Sequence, residues 1–136
     1  MIQEQKTVYV VEDDASLRNA VRRLLKCAHY RVLAFASAEE FFLSDYMRSP
    51  GCLLLDVRLP GISGFELREQ LLASGVQMPV IFMTGQDRAG MEEQAMRLGA
   101  SAYLRKPVDE ATLLGAIQRA MQAVETVKAD NGLGES

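Results

Sequence analysis

Short apolar runs in this sequence end at, or are directly followed by, polar side chains: three carboxylates, one hydroxyl and one ammonium group. They belong to Glu12, Asp13, Asp56, Thr84 and Lys106. Like charges about 4 Å apart repel by roughly 4 kcal/mol at an effective dielectric constant near 20, so clustered carboxylates need a cation or a raised pKa. A hard divalent ion, most simply Mg²⁺, prefers oxygen ligands and keeps room for substrate oxygens. With a lysine and a hydroxyl beside it, such a set suits in-line phosphoryl transfer to an aspartate.

Strands and helices must position these groups, and the two are told apart by the spacing of their hydrophobic residues. The run from Cys52 to Leu55 is typical of a strand buried on both faces, and it ends at Asp56 before the turn residues Pro60 and Gly61. Five such strands alternate with five amphipathic helices, which predicts an α/β fold with a doubly wound, five-stranded parallel sheet of order 2-1-3-4-5, as in flavodoxin. The carboxyl ends of the strands then meet at one edge, where ligands bind in open α/β sheets.

We expect strands over residues 7–11, 30–35, 52–56, 79–83 and 102–104. We expect helices over 16–28, from 37, from 63 to a stop at Gly75, over 87–98 and over 109–124. Gly90 falls inside the predicted fourth helix, at a cost of about 1 kcal/mol relative to Ala. Residues 1–125 form one predicted domain. Residues 126–136 have no period and are expected to be a flexible tail or the start of an interdomain linker.

The composition excludes several classes of function. The chain has 136 residues, is 49% hydrophobic and carries a formal net charge of -3, which argues against direct nucleic-acid binding by this domain. It has no apolar run of membrane-spanning length and no signal peptide, so we expect no membrane association and a cytoplasmic location. Cys27 and Cys52 are too far apart for a metal motif, and we expect both to be buried as small hydrophobic residues.

Four motifs together resemble the receiver domain of bacterial two-component response regulators. They lie at residues 10–14, 55–61, 83–85 and 106–107, and the similarity runs from about residue 7 to residue 124. The stretch from residue 51 to residue 64 is similar to the FixJ-like branch, whose members usually carry a C-terminal LuxR-type DNA-binding domain. The resemblance implies the (βα)5 receiver fold and a signalling domain that catalyses only its own phosphorylation and dephosphorylation.

The resemblance also implies the roles of the site residues. Asp56 is the phosphoacceptor, and a sensor histidine kinase is the donor. Mg²⁺ is bound by Asp56, by Asp13 directly, by Glu12 largely through water, and by the backbone carbonyl of Arg58. Lys106 contacts the phosphoryl group, and its peptide bond to the following proline is expected to be cis.

The resemblance further implies a switch. Thr84 moves its hydroxyl to the new phosphoryl oxygen beside the small Gly85, and Tyr103 rotates inward behind it. Arg58 and Gln86 occupy positions where the family varies its rate of dephosphorylation. Phosphorylation is expected to change the face made by the fourth helix, fifth strand and fifth helix, and so to control transcription through an absent output domain or to form a homodimer.

Rival functions remain open. The chain could be a single-domain or phosphorylation-independent receiver that acts as a protein-interaction module. A metal-dependent phosphatase with an aspartyl nucleophile generally has a second acid two residues later, where this chain has Arg58. A nucleotide or flavin binder needs a Gly-rich loop after the first strand, where this chain has Glu12 and Asp13.

Overall fold

Five parallel strands form one sheet of order β2-β1-β3-β4-β5 in the computed structural model, which describes the backbone of residues 5–134 and the side chains of residues 5–123. The strands are β1 (Thr7–Val11), β2 (Arg31–Phe35), β3 (Cys52–Asp56), β4 (Val80–Thr84) and β5 (Ala102–Arg105). The helices are α1 (Ala15–Cys27), α2 (Ala38–Leu43), α3 (Gly64–Ala73), α4 (Met91–Arg97) and α5 (Glu110–Gly134), with a 3₁₀ helix at Tyr46–Arg48. The predicted fold class and strand order are confirmed.

The sheet separates two hydrophobic layers because successive strand residues point to opposite faces. Tyr9, Leu53 and Phe82 pack on the side covered by α2, α3 and α4. Their neighbours Val10, Leu54 and Ile81 pack on the side covered by α1 and α5. Of the four tyrosines and five phenylalanines, all except Tyr30 lie on the first side. One layer is therefore rich in aromatic rings and the other is almost wholly aliphatic.

Side-chain caps determine where several helices begin. Asp14 accepts a hydrogen bond from the Leu17 amide and caps α1, and Ser63 and Glu66 form a reciprocal capping box at the start of α3. Asp109 accepts the amide hydrogen of Thr112 at the start of α5. These caps place the helix starts next to the strand ends from which the site is built.

The structure corrects three expectations. Gly90 is not inside α4; it has a φ of 87° and precedes Met91, so the helix is a turn shorter than predicted. The α5 backbone is helical to Gly134, so the last helix ends ten residues later than predicted. The expectation that residues 126–136 are a flexible tail or the start of an interdomain linker stays a prediction, and residues 135 and 136 lie outside the described part. Cys27 is exposed, and only Cys52 is buried. The domain boundary at residue 125 stays a prediction.

None of the helices within residues 5–134 combines the length and the apolar character that crossing a membrane requires.

Candidate functional site

The strand register brings the polar ends of four strands to one edge of the sheet. Val11 is level with Leu55, Asp56 with Met83, and Thr84 with Arg105. Glu12 follows Val11 and Lys106 follows Arg105, so both reach the same edge of the sheet as Asp56. The sequence predicted this convergence from the run ends alone.

Lys106 joins the two buried carboxylates. Its Nζ donates to Glu12 Oε1 at 2.6 Å and to Asp56 Oδ2 at 3.1 Å. The exposed fraction is 1% for Glu12 and 4% for Asp56. Buried charges are tolerated only when they are paired, so the ammonium group is an electrostatic requirement of this arrangement.

The titration behaviour of the pair follows from burial and charge. Burial raises the pKa of the Glu12 carboxyl; the hydrogen bond from Lys106 opposes this rise, and the Asp56 carboxylate adds to it. Burial alone would lower the pKa of Lys106, but hydrogen bonds and charge from Glu12 and Asp56 outweigh burial, and the pKa is raised. Lys106 is therefore a permanent cation between two acids.

Asp13 completes a cluster of three carboxylates. Ligand atoms of Glu12, Asp13 and Asp56 lie within 4.8 Å of one another, and Asp13 is exposed while the other two are buried. The cluster has three carboxylates, and Lys106 supplies only one positive charge. A further cation would therefore compensate the remaining negative charge. All donors are carboxylate oxygens, which fit a hard divalent ion and not a soft one. The acidic cluster could hold a metal.

The main chain fixes the position of the Asp56 carboxylate. The Arg58 amide donates to Asp56 Oδ1 at 3.1 Å, and the Val57 amide donates to the Met83 carbonyl at 2.9 Å. A Cβ on Gly64 would collide with the Asp56 carbonyl oxygen and come within 3.0 Å of Val57 Cα. The start of α3 therefore packs directly on the end of β3, and only glycine permits that approach.

Thr84, Gly85 and Gln86 form the next part of the edge. Thr84 is 1% exposed, and its Oγ1 accepts the Gln86 amide hydrogen at 3.1 Å. The Thr84 carbonyl accepts the Lys106 amide hydrogen at 2.8 Å, and the Lys106–Pro107 peptide bond is cis, as the resemblance implied. A Cβ on Gly85 would make an ordinary contact, 3.7 Å from Lys106 Cδ. Access beside Lys106 is therefore open.

Tyr103 does not join the acid cluster. Its hydroxyl donates to Asp87 Oδ1 at 2.6 Å, and Arg105 Nε donates to Asp87 Oδ2 at 2.7 Å. Arg105 Nη2 also donates to Glu92 Oε1 at 2.8 Å, and the guanidinium lies 5.3 Å from the centroid of the Tyr103 ring. Burial first, and then the Asp87 hydrogen bond, raise the pKa of Tyr103 to about 12. These contacts join the β4–α4 loop and α4 to β5.

Sequence reasoning missed Asp87 and the buried Arg68. Arg68 is 6% exposed, and it donates from Nε to the Leu98 carbonyl at 2.9 Å and from Nη1 to the Met78 carbonyl at 3.0 Å. It ties α3 to the end of α4, and burial lowers the pKa of its guanidinium. Arginines on amphipathic helices are ordinarily exposed, so the sequence carries no signal for this role.

The model of the response regulator receiver domain family matches residues 8–118. Nodulation protein W of Bradyrhizobium diazoefficiens is 39% identical over 115 residues, which are 85% of this chain and 51% of that protein. The transcriptional regulatory protein FixJ of Azorhizobium caulinodans is 37% identical over 118 residues, 87% of this chain and 56% of the relative. The chain thus spans about half the length of these curated relatives.

Solved structures of response regulators are similar to this chain in fold and in sequence. The structure of the response regulator StyR is similar with a TM-score of 0.87 and 38% identity, over 97% of this chain and 67% of that one. The crystal structure of FixJ-N has a TM-score of 0.81 and 30% identity, over 88% of this chain and 96% of that one.

Proposed function

Since this chain belongs to the family of response regulator receiver domains, we propose that Asp56 accepts a phosphoryl group from a sensor histidine kinase. One observation carries this proposal. The Asp56 carboxylate is buried at the end of β3, with an ammonium group 3.1 Å from one oxygen and a main-chain amide 3.1 Å from the other. A carboxylate held between fixed donors is oriented for nucleophilic attack, and the same donors receive the negative charge that arrives.

The transfer is a displacement at phosphorus. A carboxylate oxygen of Asp56 forms the new O–P bond while the P–N bond to the donor histidine breaks, and the departing nitrogen keeps the electron pair and takes up a proton. Lys106 stays beside the acceptor because its raised pKa keeps it charged at neutral pH. Thr84 lies at the end of the neighbouring strand, from which its hydroxyl can donate to the acyl phosphate, because its oxygen only accepts in the hydrogen bond from the Gln86 amide.

Mg²⁺ fits the carboxylate cluster, and we assign it to Asp13, Asp56, the backbone carbonyl of Arg58 and, largely through water, Glu12. When bound, it supplies positive charge that offsets the repulsion between Asp56 and the incoming phosphoryl group. The Asp56 carboxylate itself is oriented by the Arg58 amide and the Lys106 ammonium group.

The output of the switch would be the face made by α4, β5 and α5. Phosphorylation draws Thr84 toward Asp56, and Tyr103 moves into the space behind it, which requires the Tyr103–Asp87 hydrogen bond to break. The altered face would form a homodimer or release a C-terminal DNA-binding domain. Gly85 keeps the phosphoryl site open, and Arg58 and Gln86 at its rim would tune the rate of dephosphorylation.

Intact-mass analysis after incubation with acetyl phosphate tests the phosphoacceptor. We expect a single phosphoryl adduct on wild type with Mg²⁺, and none with EDTA or in Asp56→Asn. Asp45→Asn is the matched control, because Asp45 is an exposed aspartate with a φ of 68°, a conformation that Asn adopts readily. An adduct on Asp56→Asn would refute Asp56 as the phosphoacceptor, and no adduct on wild type would favour a phosphorylation-independent interaction module.

A further inference from the structure

A cleft of about 610 Å³ opens beside the acid cluster, on the side of α4. Asp13 belongs to both the cluster and the cleft, so the two are continuous. The side chains that line it include Asp13, Val57, Arg58, Phe65, Arg88 and Met91. Its walls combine an apolar floor with two arginines at the rim.

The two arginines have free hydrogen-bond donors. Within the described side chains, neither the Arg58 nor the Arg88 guanidinium has a hydrogen-bond or ion-pair partner. By contrast, Arg105 is fully engaged with Asp87 and Glu92. Guanidinium groups match the geometry of phosphoryl oxygens, which they bind through two parallel hydrogen bonds.

The β4–α4 loop holds Arg88 at this cleft. The carboxylate of its neighbour Asp87 is turned toward β5 by the hydroxyl of Tyr103 and the guanidinium of Arg105. The Arg88 carbonyl accepts the Met91 amide hydrogen at 3.1 Å, which closes the turn into α4. Arg88 is thereby placed at the rim of the cleft that contains Asp13, while Asp87 faces away.

A cation at the rim of the cleft would assist the approach of an anionic donor to the acid cluster. An acyl phosphate donor is a dianion, and it must approach three carboxylates of which Lys106 neutralises one charge. Positive charge at the mouth of a cleft raises the local concentration of an anion and its rate of association. We propose, on the basis of the proposed function, that this cleft binds the phosphodonor and that Arg88, together with Arg58, holds its phosphoryl oxygens before transfer to Asp56.

The second-order rate constant for phosphorylation by acetyl phosphate tests the proposal, measured by intact mass at low ionic strength with Mg²⁺. We expect Arg88→Gln to lower it about five- to tenfold, Arg88→Lys to recover part of the loss, and inorganic phosphate to inhibit the glutamine variant several-fold less well. Arg97→Gln is the matched control, an exposed arginine of α4 that does not line the cleft. The difference in rate constant between Arg88→Gln and Arg97→Gln should be smaller at high salt, because salt screens the charge of Arg88.

Phosphoramidate distinguishes the part of the donor that is bound. An equal loss with phosphoramidate supports a contact to the phosphoryl group, which both donors share with phosphohistidine. A loss with acetyl phosphate alone places the contact on the acetyl group and overturns the proposed contact with the phosphoryl oxygens. Equal rate constants for Arg88→Gln and Arg97→Gln, whether both wild-type or both reduced, overturn the inference and leave the phosphoacceptor intact. No adduct on wild type at any donor concentration overturns the proposed function and this inference with it.

Discussion

Replacement of Lys106 by methionine should destabilise the protein through the carboxylates it leaves behind. The substitution keeps the length and apolar stem of the side chain and removes the ammonium group. Glu12 and Asp56 would then face one another, almost fully buried, without a cation. Breaking a buried ion pair by removing one partner typically costs about 3–5 kcal/mol.

The magnitude can be bounded from the geometry. At an effective dielectric constant near 20, the ion pairs at 2.6 and 3.1 Å correspond to about 6 and 5 kcal/mol of attraction. The variant avoids losing this full amount because Glu12 can take up a proton. Protonating a carboxyl of ordinary pKa 4.5 at pH 7.5 costs about 4 kcal/mol. We therefore expect a loss of about 3–4 kcal/mol at pH 7.5.

The same reasoning fixes the pH dependence. In the variant the pKa of Glu12 is higher in the folded than in the unfolded state, so the penalty is absent below the unfolded pKa. It grows by about 1.4 kcal/mol per pH unit as the pH rises toward the folded pKa. The loss should therefore shrink to about 1–2 kcal/mol at pH 5.5.

Urea unfolding followed by circular dichroism measures both quantities, since the chain has no tryptophan. All samples contain EDTA. Lys26→Met is the control, because Lys26 is exposed in the last turn of α1 and should change the free energy of unfolding by less than about 0.5 kcal/mol. The double variant Glu12→Gln/Lys106→Met should recover most of the loss. A loss below 1 kcal/mol, or one that does not change with pH, would refute the reasoning.

Three further outcomes are expected. Arg68→Leu should lower the free energy of unfolding by about 2–4 kcal/mol, because the buried Met78 carbonyl and the part-buried Leu98 carbonyl lose their donors. A loss no larger than that of Arg97→Leu, at the exposed end of α4, would contradict this. Gly64→Ala should cost about 1–3 kcal/mol despite the helix propensity of Ala, because its Cβ meets rigid main chain, whereas Gly85→Ala should cost less than about 1 kcal/mol. Asp87→Asn should move the pKa of Tyr103 from about 12 toward 10.0, followed by NMR of the ring; an unchanged titration would show that burial alone sets it.

The part of the site that depends on strand ends was predictable from the sequence. Asp56, Thr84 and Lys106 each stand where an apolar run stops, and parallel strands bring such stops to one edge. Runs and stops are local features. Together with the order 2-1-3-4-5, which is common in small doubly wound sheets, they allowed the meeting of Glu12 with Asp56 to be predicted without coordinates.

The parts that depend on loop conformation or long-range contacts were not predictable. Gly90 fits a helical pattern, and only its left-handed backbone shows that α4 begins after it. The buried position of Arg68 depends on carbonyls ten and thirty residues away. The place of Arg88 depends on the bonds of Asp87 to β5, sixteen and eighteen residues further along the chain.

The unequal sharing of aromatic rings between the two sides of the sheet decides what optical signals can report. Near-ultraviolet dichroism and tyrosine emission come from the layer under α2, α3 and α4, with Tyr30 the exception. Events under α1 and α5 are nearly silent in these signals. The exposed thiol of Cys27 at the end of α1 offers a labelling point there, since burial raises the pKa of Cys52 to about 12 and keeps it unreactive. A dye on Cys27 and the native tyrosines would follow the two layers separately in one sample.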